Sequence, residues 1–192
     1  MRTHRALLPV LLFALAAPLT LANPAGAAEL AGVNLPDTVQ AGGQPLVLNG
    51  MGLRKKLVIK VYVGGLYLAS KQRDAAKVLA ADTPRQQVLH FLYGVTPEQM
   101  CEAWQEGLEA NVPNATAEVK KNFQTLCTWM DGVEKGKRLV MTYAPGQGTT
   151  VEVAGKSKGT LPGKATADAI LATWIGPKPG PGDDFKDDVL GK

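Results

Sequence analysis

The chain is poor in the side chains on which metal centres and nucleophilic enzymes depend, with two histidines and two cysteines among its 192 residues. His4 falls in an apolar N-terminal segment, which leaves His90 as the one histidine of the remainder, and no Cys-x-x-Cys or His-x-x-x-His spacing occurs. Zinc and similar centres need clustered ligands of these types, so we predict no metal site. Glycine-rich phosphate and dinucleotide loops are also missing, so we predict no cofactor.

One serine motif, GKSKG at residues 155–159, matches the pattern of a hydrolase nucleophile. That pattern indicates catalysis only where a strand turns sharply into a helix. Here residues 149–153 alternate like a strand, and the residues after the motif are again extended in pattern. We therefore interpret the motif as a hairpin turn and not as part of a Ser-His-Asp site.

An excess of charge of one sign is missing too. The net charge of +4 falls to +2 if Arg2 and Arg5 leave with an N-terminal leader. So small an excess favours neither a nucleic acid nor an anionic membrane surface as a partner. The cluster RKK at residues 54–56 is too short for a binding stripe, and the acidic residues 183–188 are interpreted as a solvated end. Beyond residue 27 no stretch approaches the ~18 apolar residues of a membrane span, so no stable membrane insertion is predicted.

The one long apolar run lies at the N-terminus. Arg2 and Arg5 precede apolar residues 6–22, and AGA at residues 25–27 fits a small-residue cleavage site. We predict a signal peptide at residues 1–27, a single domain at residues 28–192, and a periplasmic or secreted protein. The alternative is an uncleaved amphipathic anchor, against which the two prolines inside the run and the cleavage site argue.

Strand patterns dominate residues 46–93. Residues 46–48 are followed by Asn49-Gly50, a dipeptide typical of turns, and residues 57–68 then alternate with period two. Gly64 and Gly65 interrupt the alternation and predict a bulge or a sharp bend. Residues 74–81 are typical of a short helix, and residues 87–93 of another strand.

The pattern becomes helical after Thr96, where Pro97 and Gln99 complete the signature of a capped helix start. Apolar residues recur at helical spacing over 100–108 and again over 119–130, on either side of Pro113, which predicts a helical hairpin. Strands over residues 138–143, 149–153 and 158–161 and a helix over residues 165–175 complete the order. Hairpin-linked strands with segregated helices indicate an α+β fold whose mainly antiparallel sheet is covered by one helical layer. Such a layer leaves a cleft or an interface as the natural place for function.

The two cysteines fall at the edges of the apolar faces of the predicted helical hairpin. Cys101 precedes Pro113 by 12 residues and Cys127 follows it by 14. Positions nearly equidistant from the turn lie at similar heights, with a mismatch of about 3 Å at ~1.5 Å per residue. With export to an oxidising compartment, a disulfide between Cys101 and Cys127 and two buried free thiols are equally compatible with this spacing. Catalytic cysteine chemistry is the weakest alternative, since only His90 could serve as its base.

An ordered set of motifs resembles the chalcone isomerase superfamily, and most of all its bacterial, exported chalcone isomerase-like members. The set comprises LNGMGLR at residues 48–54, KVYVGGLYL at 60–68, TPE at 96–98, GKSKG at 155–159 and ATWIG at 172–176. The resemblance covers residues 46–191. It implies an open-faced β-sandwich in which a large antiparallel sheet lies under a layer of helices.

The resemblance also implies candidate site residues, position by position. Arg54 matches an arginine that polarises or anchors an oxyanion in the family, and Thr173 matches a threonine that lines the cleft. Tyr62, Gln99 and Glu106 stand where the plant enzymes have a threonine, a tyrosine and an asparagine. Arg54 and Tyr62 are thus the candidate catalytic residues, and all five are candidate ligand contacts. On one straight strand Arg54 and Tyr62 would lie about 26 Å apart, so a shared site requires the chain to bend between them.

Because most matched positions are substituted, we expect a non-catalytic or weakly catalytic protein that binds a small amphipathic molecule, such as a fatty acid or a phenolic compound. Fatty-acid binding is implied by non-catalytic members of the family, and the guanidinium of Arg54 suits a carboxylate. One alternative is a cofactor-independent intramolecular lyase or isomerase in which Tyr62 supplies a proton or a hydrogen bond. The other is an envelope protein-interaction module with a vestigial cleft and an unknown partner.

Overall fold

A computed structural model describes residues 26–192, and most of the predicted signal peptide lies outside the described residues. Seven strands of this part form one sheet, and the first two form a separate hairpin. The elements in chain order are β1 (Ala27–Leu30), β2 (Val33–Pro36), β3 (Thr38–Ala41), β4 (Gln44–Lys56), β5 (Ile59–Leu68), α1 (Ala75–Ala80), β6 (Arg85–Phe91), α2 (Pro97–Asn111), α3 (Ala117–Trp129), β7 (Arg138–Ala144), β8 (Gly148–Val153), β9 (Lys156–Leu161), α4 (Lys164–Ile175) and α5 (Asp183–Val189).

The seven-stranded sheet is a curled meander in which β3 to β9 pair antiparallel with their neighbours in sequence. The helices pack on one face of the sheet and bury the larger apolar core there, which includes Trp104, Phe123 and Trp174. The β1–β2 hairpin covers part of the other face, where Leu35 and Leu46 belong to a smaller core. The predicted α+β fold, with helices over a large antiparallel sheet, is confirmed.

Asn49-Gly50 does not form the predicted turn but lies inside β4, so that prediction is wrong. Asn49 is buried there, and its side-chain amide donates to the carbonyl oxygens of Val189 (2.8 Å) and Gln72 (3.0 Å), while its Oδ1 accepts from the N–H of Gln72 (2.8 Å). These contacts with segments distant in sequence outweigh the local preference of the dipeptide for a turn. The chain instead reverses between the end of β4 and the start of β5.

Gly64 and Gly65 pair in regular register, so the predicted bulge is not there. The two register shifts between β4 and β5 lie at Asn49 on β4 and at Val61 on β5. The two glycines permit close packing instead. A Cβ at Gly64 would lie 2.5 Å from the ring of Phe185, and one at Gly65 would lie 2.4 Å from Leu35. Successive residues of a strand face opposite sides, so one glycine receives the helical layer and the other receives the β1–β2 hairpin.

The α2–α3 hairpin forms as predicted. Thr96 Oγ1 accepts from the backbone N–H of Gln99 (3.3 Å), and the Gln99 side-chain oxygen accepts from the N–H of Thr96 (3.0 Å), which completes the predicted capping box. A disulfide joins Cys101 and Cys127, whose Cα atoms lie 4.8 Å apart. Of the two states that the spacing left open, the structure contains the disulfide.

The acidic C-terminal residues are not a solvated end, contrary to the sequence-based prediction. They form α5, in which the aspartates are exposed while Phe185 and Val189 are buried, and Leu190, which caps the helix, is buried too. The helical spacing of these three apolar residues gives α5 one buried face. α5 packs on β4 at Gly50 and Gly52, where a Cβ would lie 2.1 Å from the Asp188 carbonyl oxygen and 2.7 Å from the Phe185 ring, respectively.

Candidate ligand-binding site

The β4–β5 hairpin brings Arg54 and Tyr62 together at one end of the sheet. The two residues are direct partners in the antiparallel register, because the chain reverses between them. Side chains at such paired positions have Cβ atoms about 4.5–5.5 Å apart. The bend that a shared site requires is therefore present, and the separation expected on a straight strand does not apply.

Tyr62 is half-buried within a cluster of aromatic rings. Its ring centroid lies 5.7 Å from that of Phe91, 6.3 Å from that of Trp174 and 5.8 Å from that of Phe185. Burial raises the pKa of the Tyr62 hydroxyl well above its usual range, while the positive charge of Arg54 acts in the opposite direction. The phenol therefore keeps its proton at neutral pH and can donate a hydrogen bond to a ligand.

Arg54 is held by a backbone group and not by an acid. Its Nη1 donates to the carbonyl oxygen of Pro181 (3.0 Å), and none of the ion pairs within residues 26–192 includes it. The guanidinium is half-buried and remains charged at any physiological pH. The site thus contains a positive charge without a carboxylate partner among the described side chains.

Residues 177–192, which we call the C-terminal segment, cover this site. Pro181 accepts a hydrogen bond from Arg54, and the Phe185 ring packs edge-on against both Tyr62 and Trp174, with a centroid distance of 5.0 Å to the latter. Lys186 Nζ donates to the carbonyl oxygen of Gly176 (2.8 Å) and fixes α5 to the end of α4. The apolar interior next to Arg54 is therefore filled by a side chain of the protein itself.

The structure does not bring the other three candidates to this pair. Thr173 is buried in α4, where its hydroxyl donates to the Ile170 carbonyl (2.8 Å) and its side chain packs on Gly107 of α2. A Cβ at Gly107 would lie 2.9 Å from Thr173, so the threonine sets the close contact of α2 with α4. Gln99 caps α2, and Glu106 is exposed on α2.

A partly buried ion cluster that the sequence analysis did not identify joins β6 to α4. Arg85 donates to Asp168 at 2.6 Å and lies 4.8 Å above the Tyr143 ring, and Lys164 donates to the other oxygen of Asp168 at 2.6 Å. Tyr143 donates to Asp82 at 2.5 Å, and its pKa is raised to about 12 by burial and then by this bond. The charged groups of this cluster are paired with one another, so we assign it a structural role in holding β6 against α4. Arg85 and Asp168 are 83 residues apart, and no local signal connects them.

Two surface grooves lie at the α2–α3 hairpin and not at the Arg54 site. One has a volume of about 420 Å³ and an apolar floor that includes Leu108, Val112 and Phe123. The other passes the disulfide and is lined by acidic side chains of α2. No group of three or more potential metal ligands comes together in the part of the chain that the structure describes.

The curled antiparallel sheet, covered on one face by helices and carrying an arginine–tyrosine pair at one end, defines an open-faced α+β sandwich. The sequence matches the chalcone isomerase-like family over residues 27–191, and the chain belongs to that family. A crystal structure of a fatty-acid binding protein from Arabidopsis thaliana has a similar fold, with a TM-score of 0.67 and 17% sequence identity. The similarity covers 86% of this chain and 97% of that chain. No curated protein matches in sequence. Within residues 26–192, no helix has the length and apolar character to cross a membrane.

Proposed function

We propose that this protein is a non-catalytic binding protein for a small amphipathic carboxylate, such as a fatty acid, with Arg54 as the carboxylate anchor. The observation that carries the proposal is the half-buried Arg54 guanidinium, which has only the Pro181 carbonyl as a hydrogen-bond partner among the described residues. A carboxylate can take two parallel N–H bonds from a guanidinium, which a single carbonyl oxygen cannot do. An anionic ligand would therefore satisfy this site better than the C-terminal segment does.

Tyr62 supports binding more than catalysis. Because its pKa is raised, it remains a neutral phenol that donates a hydrogen bond and does not act as a base at neutral pH. Arg54 and Tyr62 together provide donors for one carboxylate group. The alternative, a cofactor-independent isomerase, would need Tyr62 to give up or take a proton during turnover.

The apolar part of the ligand requires space that Phe185 fills in this structure. The Phe185 ring fills the space left by the missing side chains of Gly52 and Gly64, which we call its seat. There the ring contacts Tyr62 and Trp174. We infer that an acyl chain enters this seat when α5 moves away from β4. The fold shared with a protein described as a fatty-acid binding protein supports this choice of ligand class.

The direct test is a titration of the delipidated chain with hexadecanoate below its micellar concentration. We expect a rise in melting temperature and a binding isotherm for the wild type. Arg54→Gln should weaken binding about 10- to 150-fold, since a hydrogen bond to a charged group contributes about 1.5–3 kcal/mol. Lys55→Gln is the matched control, because it removes the same charge from an exposed neighbour and should leave affinity unchanged.

Three results would contradict the proposal. The first is a chain that is recovered without lipid and shows no thermal shift with hexadecanoate. The second is turnover of a chalcone that Arg54→Ala abolishes while the fold persists, which would establish the isomerase alternative. The third is a co-purified protein partner bound to a chain with an empty cleft, which would favour the interaction module.

We further propose that the protein is exported and processed near Ala27. The family match begins at residue 27, the last residue of the predicted leader, and the Cys101–Cys127 disulfide suits an oxidising compartment. Intact mass of the protein from its native cells should match cleavage near Ala27, with both cysteines protected from alkylation until reductant is added. A chain that retains its N-terminus or contains two free thiols would contradict export.

A further inference from the structure

The large apolar side chains that stand exposed in the described part of the chain cluster at one end of the sheet. Leu57 and Val58 form the tip of the β4–β5 hairpin and are each 94% exposed. Ile59, 43% exposed, opens β5, and Tyr93, 55% exposed, lies beside the hairpin because its N–H donates to the Val61 carbonyl (3.2 Å). Single exposed apolar residues are ordinary, but this grouping is characteristic of an interaction surface.

The stability of the fold does not explain why a leucine stands at the hairpin tip, at residue 57. Leu57 has a φ of 54°, in the left-handed region that glycine and asparagine adopt with least strain. A leucine in this conformation is strained, and at 94% exposure it gains almost nothing from burial. The side chain is therefore available for a contact outside the molecule.

Basic residues surround this apolar tip. Lys55, Lys56 and Lys60 are exposed next to it, and no acidic residue occurs between residues 38 and 73. The register of β5, β6 and β7 places the exposed Lys137 and Arg138 at the same end of the sheet. The small net charge of the whole chain therefore does not reflect the local excess of positive charge that the fold places around the hairpin tip.

Acidic groups of the elements that pack on this hairpin are set back from the tip. Asp183 and Asp184 begin α5, whose Phe185 lies over Gly52. Leu57 lies about 16 Å further along the hairpin, at ~3.3 Å per residue. Glu134, in the loop before β7, is the acidic residue closest in sequence to Lys137 and Arg138 and offsets one of their charges.

We propose that the tip of the β4–β5 hairpin docks this protein reversibly onto an anionic phospholipid surface. Leu57 and Val58 enter the interface, while the lysine stems lie along the apolar surface and their ammonium groups reach the phosphates. A convex tip with a small apolar area suits a bilayer, since a specific protein partner buries about 800 Å² on each side against a complementary surface. The docking does not depend on a ligand at Arg54.

Vesicle co-sedimentation tests the proposal with the chain from Gly26 onward, which contains the described core but not the apolar leader. We expect binding to vesicles that contain phosphatidylglycerol, weaker binding to pure phosphatidylcholine, and release from the anionic vesicles at high salt. Leu57→Ser combined with Val58→Ser should abolish sedimentation. Lys55→Gln combined with Lys56→Gln should weaken it about 25-fold, since each lysine near such a surface contributes about five-fold.

The matched control is Lys120→Gln combined with Lys121→Gln, which removes two exposed charges from α3. This variant should sediment nearly as well as the wild type. All three variants should melt close to the wild-type temperature, because their substituted residues are exposed. Three outcomes would overturn the proposal: no sedimentation with phosphatidylglycerol vesicles at low salt, equal weakening by the α3 control, or a dimer that Leu57→Ser dissociates in the absence of lipid. The last would assign the tip to a second copy of this chain.

Discussion

Gly52 and Gly64 form the seat of Phe185, and they do so as direct partners across β4 and β5. Phe185 is 2% exposed, so its ring is almost entirely enclosed by the protein. A methyl group at Gly64 would lie 2.5 Å from that ring, well inside van der Waals contact. The absence of a side chain at these positions is thus what allows α5 to lie flat on the sheet.

The first prediction concerns this seat. Gly64→Ala should lower the free energy of unfolding by about 1–3 kcal/mol, because overpacking forces the ring or the backbone to shift. Urea unfolding measures the change. Gly94→Ala is the control, since its nearest neighbouring atom would be 3.9 Å away, and it should stay within about 1 kcal/mol of the wild type. Equal losses for the two variants would show that the seat is not tight.

The second prediction concerns Tyr67, whose hydroxyl donates to the Pro36 carbonyl (2.9 Å). Burial raises the pKa of Tyr67 to about 12, and the charge of Arg138 opposes this shift. A phenol in the unfolded chain titrates near ~10, so above that pH the unfolded state loses a proton that the folded state keeps. The stability due to Tyr67 is therefore complete below pH ~10 and is lost as the pH rises through about 12.

Urea unfolding at a series of alkaline pH values tests this window. Tyr67→Phe should flatten the fall in stability above pH ~10, whereas Tyr93→Phe, at an exposed position, should leave the curve as it is in the wild type. A Tyr67→Phe curve parallel to the wild-type curve would mean that the phenol titrates normally in the folded state.

At the scale of the element, periodicity and capping signals were reliable where local chemistry decides the structure. The capping box of Thr96 and Gln99 and the helical hairpin around Pro113 are present as predicted. Asn49-Gly50 misled because the Asn49 amide is bound by Val189, 140 residues away, which no local pattern encodes. Helix α5 was missed because it spans seven residues and most of its side chains are acidic.

At the candidate site, too, local sequence patterns do not predict contacts between elements that are distant in sequence. The β4–β5 reversal that pairs Arg54 with Tyr62 occurs at Leu57, a residue without turn preference. The burial of Thr173 against α2 depends on Gly107, which lies in another helix. Each of these facts depends on contacts between elements, so the sequence identified the residue types of the site but not their grouping.

The third prediction concerns the ion cluster that joins β6 to α4. Arg85→Met should cost about 1.5–3 kcal/mol, because it removes a charge-assisted hydrogen bond to Asp168, which is partly exposed and keeps its ion pair with Lys164. Lys192→Met, which breaks an exposed pair with Asp187, is the control and should cost less than about 1 kcal/mol. Thermal and urea unfolding of both variants measure the change. If Arg85→Met lost less free energy of unfolding than the control, a structural role for the cluster would be contradicted.

For the molecule as a whole, one end of the sheet combines three features. Along the β4–β5 hairpin, the Arg54–Tyr62 pair is followed by the apolar tip with its basic surroundings. The C-terminal segment covers the same pair through Pro181. If the tip docks on lipid, the Arg54 site faces the source of an amphipathic carboxylate. The C-terminal segment then competes with the ligand for Arg54 through Pro181 and for the apolar seat through Phe185.

The last prediction tests this competition and depends on the proposed function. Phe185→Ala should lower stability by about 3–5 kcal/mol, as expected for a large buried aromatic side chain. It should also raise the affinity for hexadecanoate, since the acyl chain no longer has to displace the ring. Phe123→Ala in α3 removes an equally buried ring away from Arg54 and should lower stability without a gain in affinity. Calorimetric titration compares the three proteins, and a Phe185→Ala affinity at or below that of the wild type would mean that the ligand does not use the seat of Phe185.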